Sequence, residues 1–141
     1  MINPYEMVSR SALPALRAMV AKRMQEDYHL TQQQVARRLG VTQASISNYA
    51  RRTRGSMFNF ETDPTVSKAA DRIAKLLSSK TPDELGALAT MTEVCDYIRF
   101  NKLMCSLHQD LEPGYDVSTC AACEGVLTGK GFQRLTLAVG Q

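Results

Sequence analysis

The chain is predicted to be all-α. An N-terminal helix-turn-helix comes first, then a helical dimerisation and metal-binding segment that includes a short irregular cysteine-rich region. Three observations predict this. The run Thr31–Arg54, TQQQVARRLGVTQASISNYARRTR, reads as two short helices about a tight turn. Apolar residues elsewhere recur at three- and four-residue spacing, notably over Leu13–Met24 and Val66–Leu77. Helix start signals precede the helices: Thr31 with Gln34, Thr42, Asp63 with Pro64, and Thr81 with Pro82 and Glu84. The expected division is 1–55 for the helix-turn-helix domain, 56–63 for a linker and 64–141 for the C-terminal segment.

Residues 1–12 read as a short arm or irregular helix. From Leu13 to Tyr28 the pattern is helical, with Leu13, Leu16, Met19, Val20 and Met24 on one face. Pro14 falls in the first turn, where its missing N–H costs little. His29, at the helix end, reads as structural. Thr31 and Gln34 form a capping box, and Val35, Ala36 and Leu39 share the buried face of the next helix. Gly40 suits the left-handed turn that ends it. Thr42 caps the following helix, which buries Ile46 with Tyr49 or Ala50. Met57, Phe58 and Phe60 in the linker are expected to cover an apolar edge or touch a second subunit. Asp63 and Pro64 then start a helix that buries Val66, Ala69, Ala70, Ile73, Leu76 and Leu77 and ends near Ser79. Thr81, Pro82 and Glu84 start another, running to about Leu103 and burying Leu85, Leu88, Met91, Val94 or Cys95, and Ile98. Regularity is expected to stop there. The tail Phe132–Val139 reads as a strand or a docked tail.

The chain has 141 residues, 44% of them hydrophobic, which suffices for one domain or two very small ones. Trp is absent, so the core must be largely aliphatic. No apolar run is long enough to span a membrane, and MINPYEMVSR lacks the order of a secretory signal. A cytoplasmic protein with no membrane partner is therefore expected. The net charge of +3 is unevenly spread. Residues 1–54 hold nine Lys or Arg against three Asp or Glu, and the remainder holds eight against eleven. Such asymmetry suits a chain whose first part meets a polyanion.

The polar side of the second short helix carries Gln43, Ala44, Ser47 and Asn48, preceded by Thr42. Gln and Asn can pair with adenine in the major groove, Ser with several base edges, and Ala can touch a thymine methyl. Arg37, Arg38, Arg51 and Arg52 lie around them and suit phosphates. The N–H groups of the helix starting near Gln32 offer another phosphate contact. The expected partner is a double-stranded DNA operator. No Ser/His/Asp set, phosphate-binding glycine loop or paired carboxylates is evident, so an enzyme is not expected.

All four cysteines lie within residues 95–123, spaced as Cys95, Cys105, His108, Cys120 and Cys123. The segment around the last four is poor in core residues, and bound metal could order it. Two ligand sets compete. Cys95, Cys105, Cys120 and Cys123 could hold an iron–sulfur cluster of the four-iron type. Alternatively, His108 replaces Cys95 and the four close a tetrahedral Zn2+ site. Ligand type alone does not choose between them. A bare thiol redox pair at Cys120 and Cys123 is a third possibility.

The stretch LPALRAMVAKRMQEDYHLTQQQVARRLGVTQASISNYARRTRG resembles the N-terminal domain of a family of archaeal predicted transcriptional regulators. These carry a lambda-repressor-like (XRE-type) helix-turn-helix followed by a helical, cysteine-bearing segment. The resemblance covers roughly residues 10–125 and is most specific around LPALRA and VTQASIS. It implies DNA binding as a homodimer. Gln43 and Ala44 match positions that reach bases, and Gln32 one that contacts phosphate. Family members can carry a cysteine at the position of Ile98, so the resemblance transfers no single ligand set. The expectation is a dimeric sequence-specific regulator whose cysteines hold an iron–sulfur sensor of redox state, oxygen or iron. The alternative is a Zn-stabilised structural or protein-interaction module attached to a DNA-binding domain.

Overall fold

The computed structural model describes residues 1–51 and 59–123. Among them the structure is helical and has no strand. Helix α1 spans Pro4–Met7, and a π-helical stretch, Val8–Ala12, leads into α2, Leu13–Glu26. Helices α3, Gln32–Leu39, and α4, Gln43–Arg51, form the helix-turn-helix. Helices α5, Pro64–Ser78, α6, Glu84–Phe100, and α7, Cys105–Leu111, complete the described chain. The expectations on Arg52, Met57, Phe58 and the tail 126–141 lie outside the described residues.

Residues 1–12 are more regular than an arm. Asn3 caps α1 with a full capping box shared with Glu6. Met7, Val8, Ala12 and Leu13 all have right-handed helical dihedrals, so the backbone continues into α2. The π-helical stretch stands directly before Pro14, and the Leu13 N–H donates to the Val8 carbonyl five residues back. A proline ring inside a helix collides with the carbonyl four residues earlier. The wider π turn gives that carbonyl room without breaking the rod.

Helix α2 buries Leu16, Met19, Val20 and Met24, as the periodicity predicts. It stops at Glu26, and the Leu30 N–H closes on the Met24 carbonyl at 3.1 Å while His29 adopts φ 55°. That closure, with a left-handed residue inside it, is one position wider than a Schellman motif and ends the helix in the same way. Thr31 and Gln34 form the expected capping box for α3, and Gly40 ends it at φ 67°.

Asp63 caps α5 by accepting from the N–H groups of Thr65 and Val66, both at 3.0 Å. Helix α6 departs from expectation in three ways. Its cap is Asp83, which accepts from the Gly86 N–H at 2.8 Å, in place of the Thr81–Glu84 box. It ends at Phe100, not Leu103. Its buried side is Ala87, Thr90, Val94, Cys95, Ile98 and Arg99, whereas Leu85 and Leu88 are 81% and 62% exposed. The reason is a second apolar stripe. Ala87, Val94 and Ile98 share one side of the helix; Leu85 and Leu88 lie about 100° or more around it. Small residues line both partners, Ala70 and Ala74 on α5 and Ala87 on α6. Small side chains let helix axes approach closely, so this stripe prevails over the leucines. Beyond residue 104, where irregular chain was expected, α7 forms a further helix.

One hydrophobic cluster runs from Met7 to Met104 and includes α2, α3, α4, α5 and α6. Helix α2 is its hub, packing on α3 and α4 on one side and on α5 on the other. Phe60, 2% exposed, joins this core from the segment before α5. Arg23 ties the same junction. Its guanidinium pairs with both Glu61 oxygens at 2.9 and 3.0 Å, bonds Ser67 Oγ at 3.0 Å, and holds Asp71.

Candidate functional site

Helix α4 is seated by Ile46, 1% exposed, with half-buried Tyr49 beside it; Ala50 is exposed, so Tyr49 completes the buried side. At about 100° per residue, Gln43, Ala44, Ser47, Asn48 and Arg51 fall in one arc opposite those anchors. Gln43, Ala44, Asn48 and Arg51 are exposed and Ser47 is half-buried. The whole polar edge therefore lies at the surface.

The turn before it is built locally. The Val41 N–H donates to the Ala36 carbonyl at 3.0 Å, closing α3 through Gly40. Thr42 Oγ1 accepts from the Ser45 N–H at 3.1 Å and lies 2.8 Å from Ser45 Oγ. Thr42 thus caps α4 while standing exposed at its start. Ser45, not singled out from the sequence, reinforces that cap.

The basic residues divide in role. Arg37 and Arg51 are exposed, and Gln32 is half-buried at the start of α3. Arg38 behaves differently. Its Nη1 donates to the carbonyls of Leu77 at 2.6 Å and Ser79 at 3.0 Å. A cation on the last carbonyls of a helix satisfies orphan acceptors and complements the dipole there. Arg38 therefore anchors the helix-turn-helix to the C-terminal end of α5. Arg52 lies outside the described residues.

Residues 14–54 match the family model of the ParB HTH domain. The segment is a DNA-binding helix-turn-helix. The match spans α2, α3 and α4 and ends before α5, so it covers under half of the chain. No curated protein and no solved structure matches the chain. No helix among the described residues is long and apolar enough to cross a membrane.

The cysteines occupy two places. Cys105, Cys120 and Cys123 line one cavity together with His108, Arg99 and Met7. Cys95 does not line it; it is buried in α6, and burial pushes its thiol up to about 11. Burial also raises the Cys105 thiol, with the Cys123 and Cys120 sulfurs adding to the effect. The chain reaches this arrangement through α7, which sets Cys105 and His108 one turn apart, and through a turn in which Asp116 Oδ1 accepts from the Ser118 N–H at 2.9 Å. Tyr115 links the two. Its ring stacks on His108 at 4.5 Å, and its hydroxyl donates to Cys120 Sγ at 3.0 Å.

Glu112 fixes the other side of His108, with Oε2 3.0 Å from Nε2. Its carboxyl is held down to about 2, first by the Ile2 N–H, then by the Met1 amino group and His108. The sequence offered no sign of these contacts, because Ile2 and Glu112 stand 110 positions apart. Among the described residues no group of three or more His, Cys, Asp or Glu side chains is arranged to hold a metal ion as it stands.

Proposed function

We propose that the chain is a sequence-specific transcriptional regulator that reads its operator as a homodimer in the cytoplasm. One observation carries this reading: the polar edge of exposed Gln43, Ala44 and Asn48 with half-buried Ser47, on the second helix of a DNA-binding helix-turn-helix. Those side chains carry the donors, acceptors and methyl that major-groove base edges meet. Arg37 and Arg51 flank the edge as phosphate contacts, with the N-terminus of α3 at Gln32 as a further one. Two such units on a symmetric dimer would meet half-sites about 34 Å apart, one DNA turn. No catalytic step is assigned to the chain.

The C-terminal thiols supply the regulatory part of the proposal. Cys105 and Cys120 lie on segments joined to α6, and α6 packs on α5, whose last carbonyls hold Arg38. A change at the thiols therefore has a packed route to the helix-turn-helix. The sequence admits an iron–sulfur sensor on Cys95, Cys105, Cys120 and Cys123; the separation of Cys95 from the other three supports a centre without it.

The test is selection of duplexes from a random pool, then titration of the winner by fluorescence anisotropy. Gln43→Ala is expected to cost about 1–3 kcal/mol on the selected duplex and to relax preference at one position. Arg37→Ala is expected to weaken all duplexes alike and to reduce the salt slope by about one. Equal binding of selected and scrambled duplexes by the native chain would refute the regulator reading. Unchanged operator affinity in a folded Cys105→Ser, Cys120→Ser dimer would refute the sensor.

A further inference from the structure

The thiol cavity and the arginine beside it point to a ligand, whatever the helix-turn-helix binds. We propose that Cys105, His108, Cys120 and Cys123 bind a single Zn2+ ion and that Arg99 is its counter-charge.

Ligand chemistry comes first. Three thiols and one imidazole are the donor set of a closed tetrahedral zinc site. Soft sulfur with imidazole disfavours the hard oxygen-seeking cations. Cys105 and His108 are one helical turn apart on α7, and Cys120 and Cys123 bracket the turn after Thr119. All four line the same cavity. The cavity they wall is small. Cys95, the extra thiol a four-thiolate cluster needs, is sealed in the core away from it.

The neighbours are oriented for the same purpose. At neutral pH a carboxylate only accepts, so Glu112 Oε2, 3.0 Å from His108 Nε2, places the ring proton on Nε2. Nδ1 is then the ring nitrogen a metal would take. A carboxylate behind a ligating histidine is a recurrent arrangement that raises ligand basicity. Cys120 Sγ accepts from the Tyr115 hydroxyl at 3.0 Å and from the Ala122 N–H at 3.5 Å.

Arg99 supplies the independent observation. It is 5% exposed, and its Nε has no hydrogen-bond partner among the described residues. The nearest carboxylate, Asp96, is 3.9 Å from Nη1, and the Tyr5 ring covers the guanidinium at 4.2 Å. A buried guanidinium so weakly paired needs a compensating negative charge. Binding of Zn2+ releases three thiol protons to solvent, and each sulfur donates an electron pair to the metal along with Nδ1. Three thiolates and a neutral imidazole around a dication carry a net charge of −1. Arg99 and Lys102 both line the cavity and supply opposing positive charge, and Arg99 is the buried one of the two.

The experiment uses the full chain, reduced and stripped of metal, with no DNA present. One equivalent of Co2+ is expected to give the intense ligand-field absorption of a tetrahedral thiolate site, and Zn2+ to bleach it. Cys95→Ser keeps that signal; Cys105→Ser, Cys120→Ser and Cys123→Ser each lose it. Arg99→Met and Glu112→Gln are each expected to weaken Zn2+ binding roughly ten- to a hundredfold, the usual effect of losing an outer partner. Arg99→Lys restores most of the affinity, which separates charge from packing should Arg99→Met fold poorly by circular dichroism. Iron with acid-labile sulfide in anaerobically prepared native protein overturns the single-ion site. So does a cobalt signal that requires Cys95. Zinc affinity unchanged in Arg99→Met overturns the counter-charge. Failure to bind any operator leaves all of these readouts intact and bears on the DNA reading alone.

Discussion

Individual side chains carry the sharpest expectations. Gly40 holds φ 67° at the end of α3, and a Cβ added there would meet nothing within 4 Å. Its substitution by Ala is therefore a nearly pure dihedral effect. Gly40→Ala should lower stability by about 1 kcal/mol, the scale of left-handed strain in an L-residue. Chemical denaturation, with an unchanged m-value, checks it. Cys95 offers a different readout. Burial first, and the Asp96 charge next, raise its thiol to about 11, and its side chain is 8% exposed. Only the thiolate reacts quickly with an alkylating agent. Timed iodoacetamide labelling at pH 8, followed by peptide mass mapping, should modify Cys95 last among the four cysteines. Rapid labelling of Cys95 would place it outside the core. At this scale the sequence was legible wherever partners are neighbours: Thr31 finds Gln34 three positions on, and Asp63 finds Thr65 and Val66. It was silent where partners are remote. Nothing near Arg38 in the sequence announces its bonds to Leu77 and Ser79, 39 and 41 positions away.

At the level of elements, that arginine joins α3 to the end of α5. Arg38→Ala should cost about 1.5 kcal/mol of stability, a typical value for hydrogen bonds made by a charged group. Its effect on the salt slope of DNA binding should be smaller than that of Arg37→Ala, since Arg37 stands free at the surface. Thermal melts paired with salt titrations of the two variants separate the roles; the reverse ranking would make Arg38 the phosphate contact. Helix α6 shows why periodicity sufficed to find a helix and failed to orient it. Leucines outrank alanines on any hydrophobic scale, yet Ala87 is buried and Leu85 is not. Packing distance against α5 decided the face, and packing distance is not written in one helix's own residues. Helix α7 was missed for a related reason. It is only seven residues long, and its buried position is a histidine.

For the molecule as a whole, one core joins the DNA-reading helices to the thiol-bearing ones. Arg23 stands at that junction, 14% exposed, with its guanidinium held by Glu61, Ser67 and Asp71. Arg23→Ala should destabilise the chain by about 1–2 kcal/mol, within the usual range for a single substitution that removes several hydrogen bonds. Because the core is shared, the loss should move the unfolding of both halves together. Hydrogen exchange at amides of α3 and α6 would show it; a shift confined to α3 would mean the halves unfold separately.

The π-helical stretch before Pro14 sets a phase. Excising one residue from Val8–Ala12 would restore ordinary winding and swing everything upstream by about 100° around the rod. Tyr5 would then leave the Arg99 guanidinium, and Pro4 and Met7 would abandon the chamber they help to wall. The extra residue thus acts as a shim: a single inserted unit of backbone keys the leading end of the chain to a lock that its trailing cysteines complete.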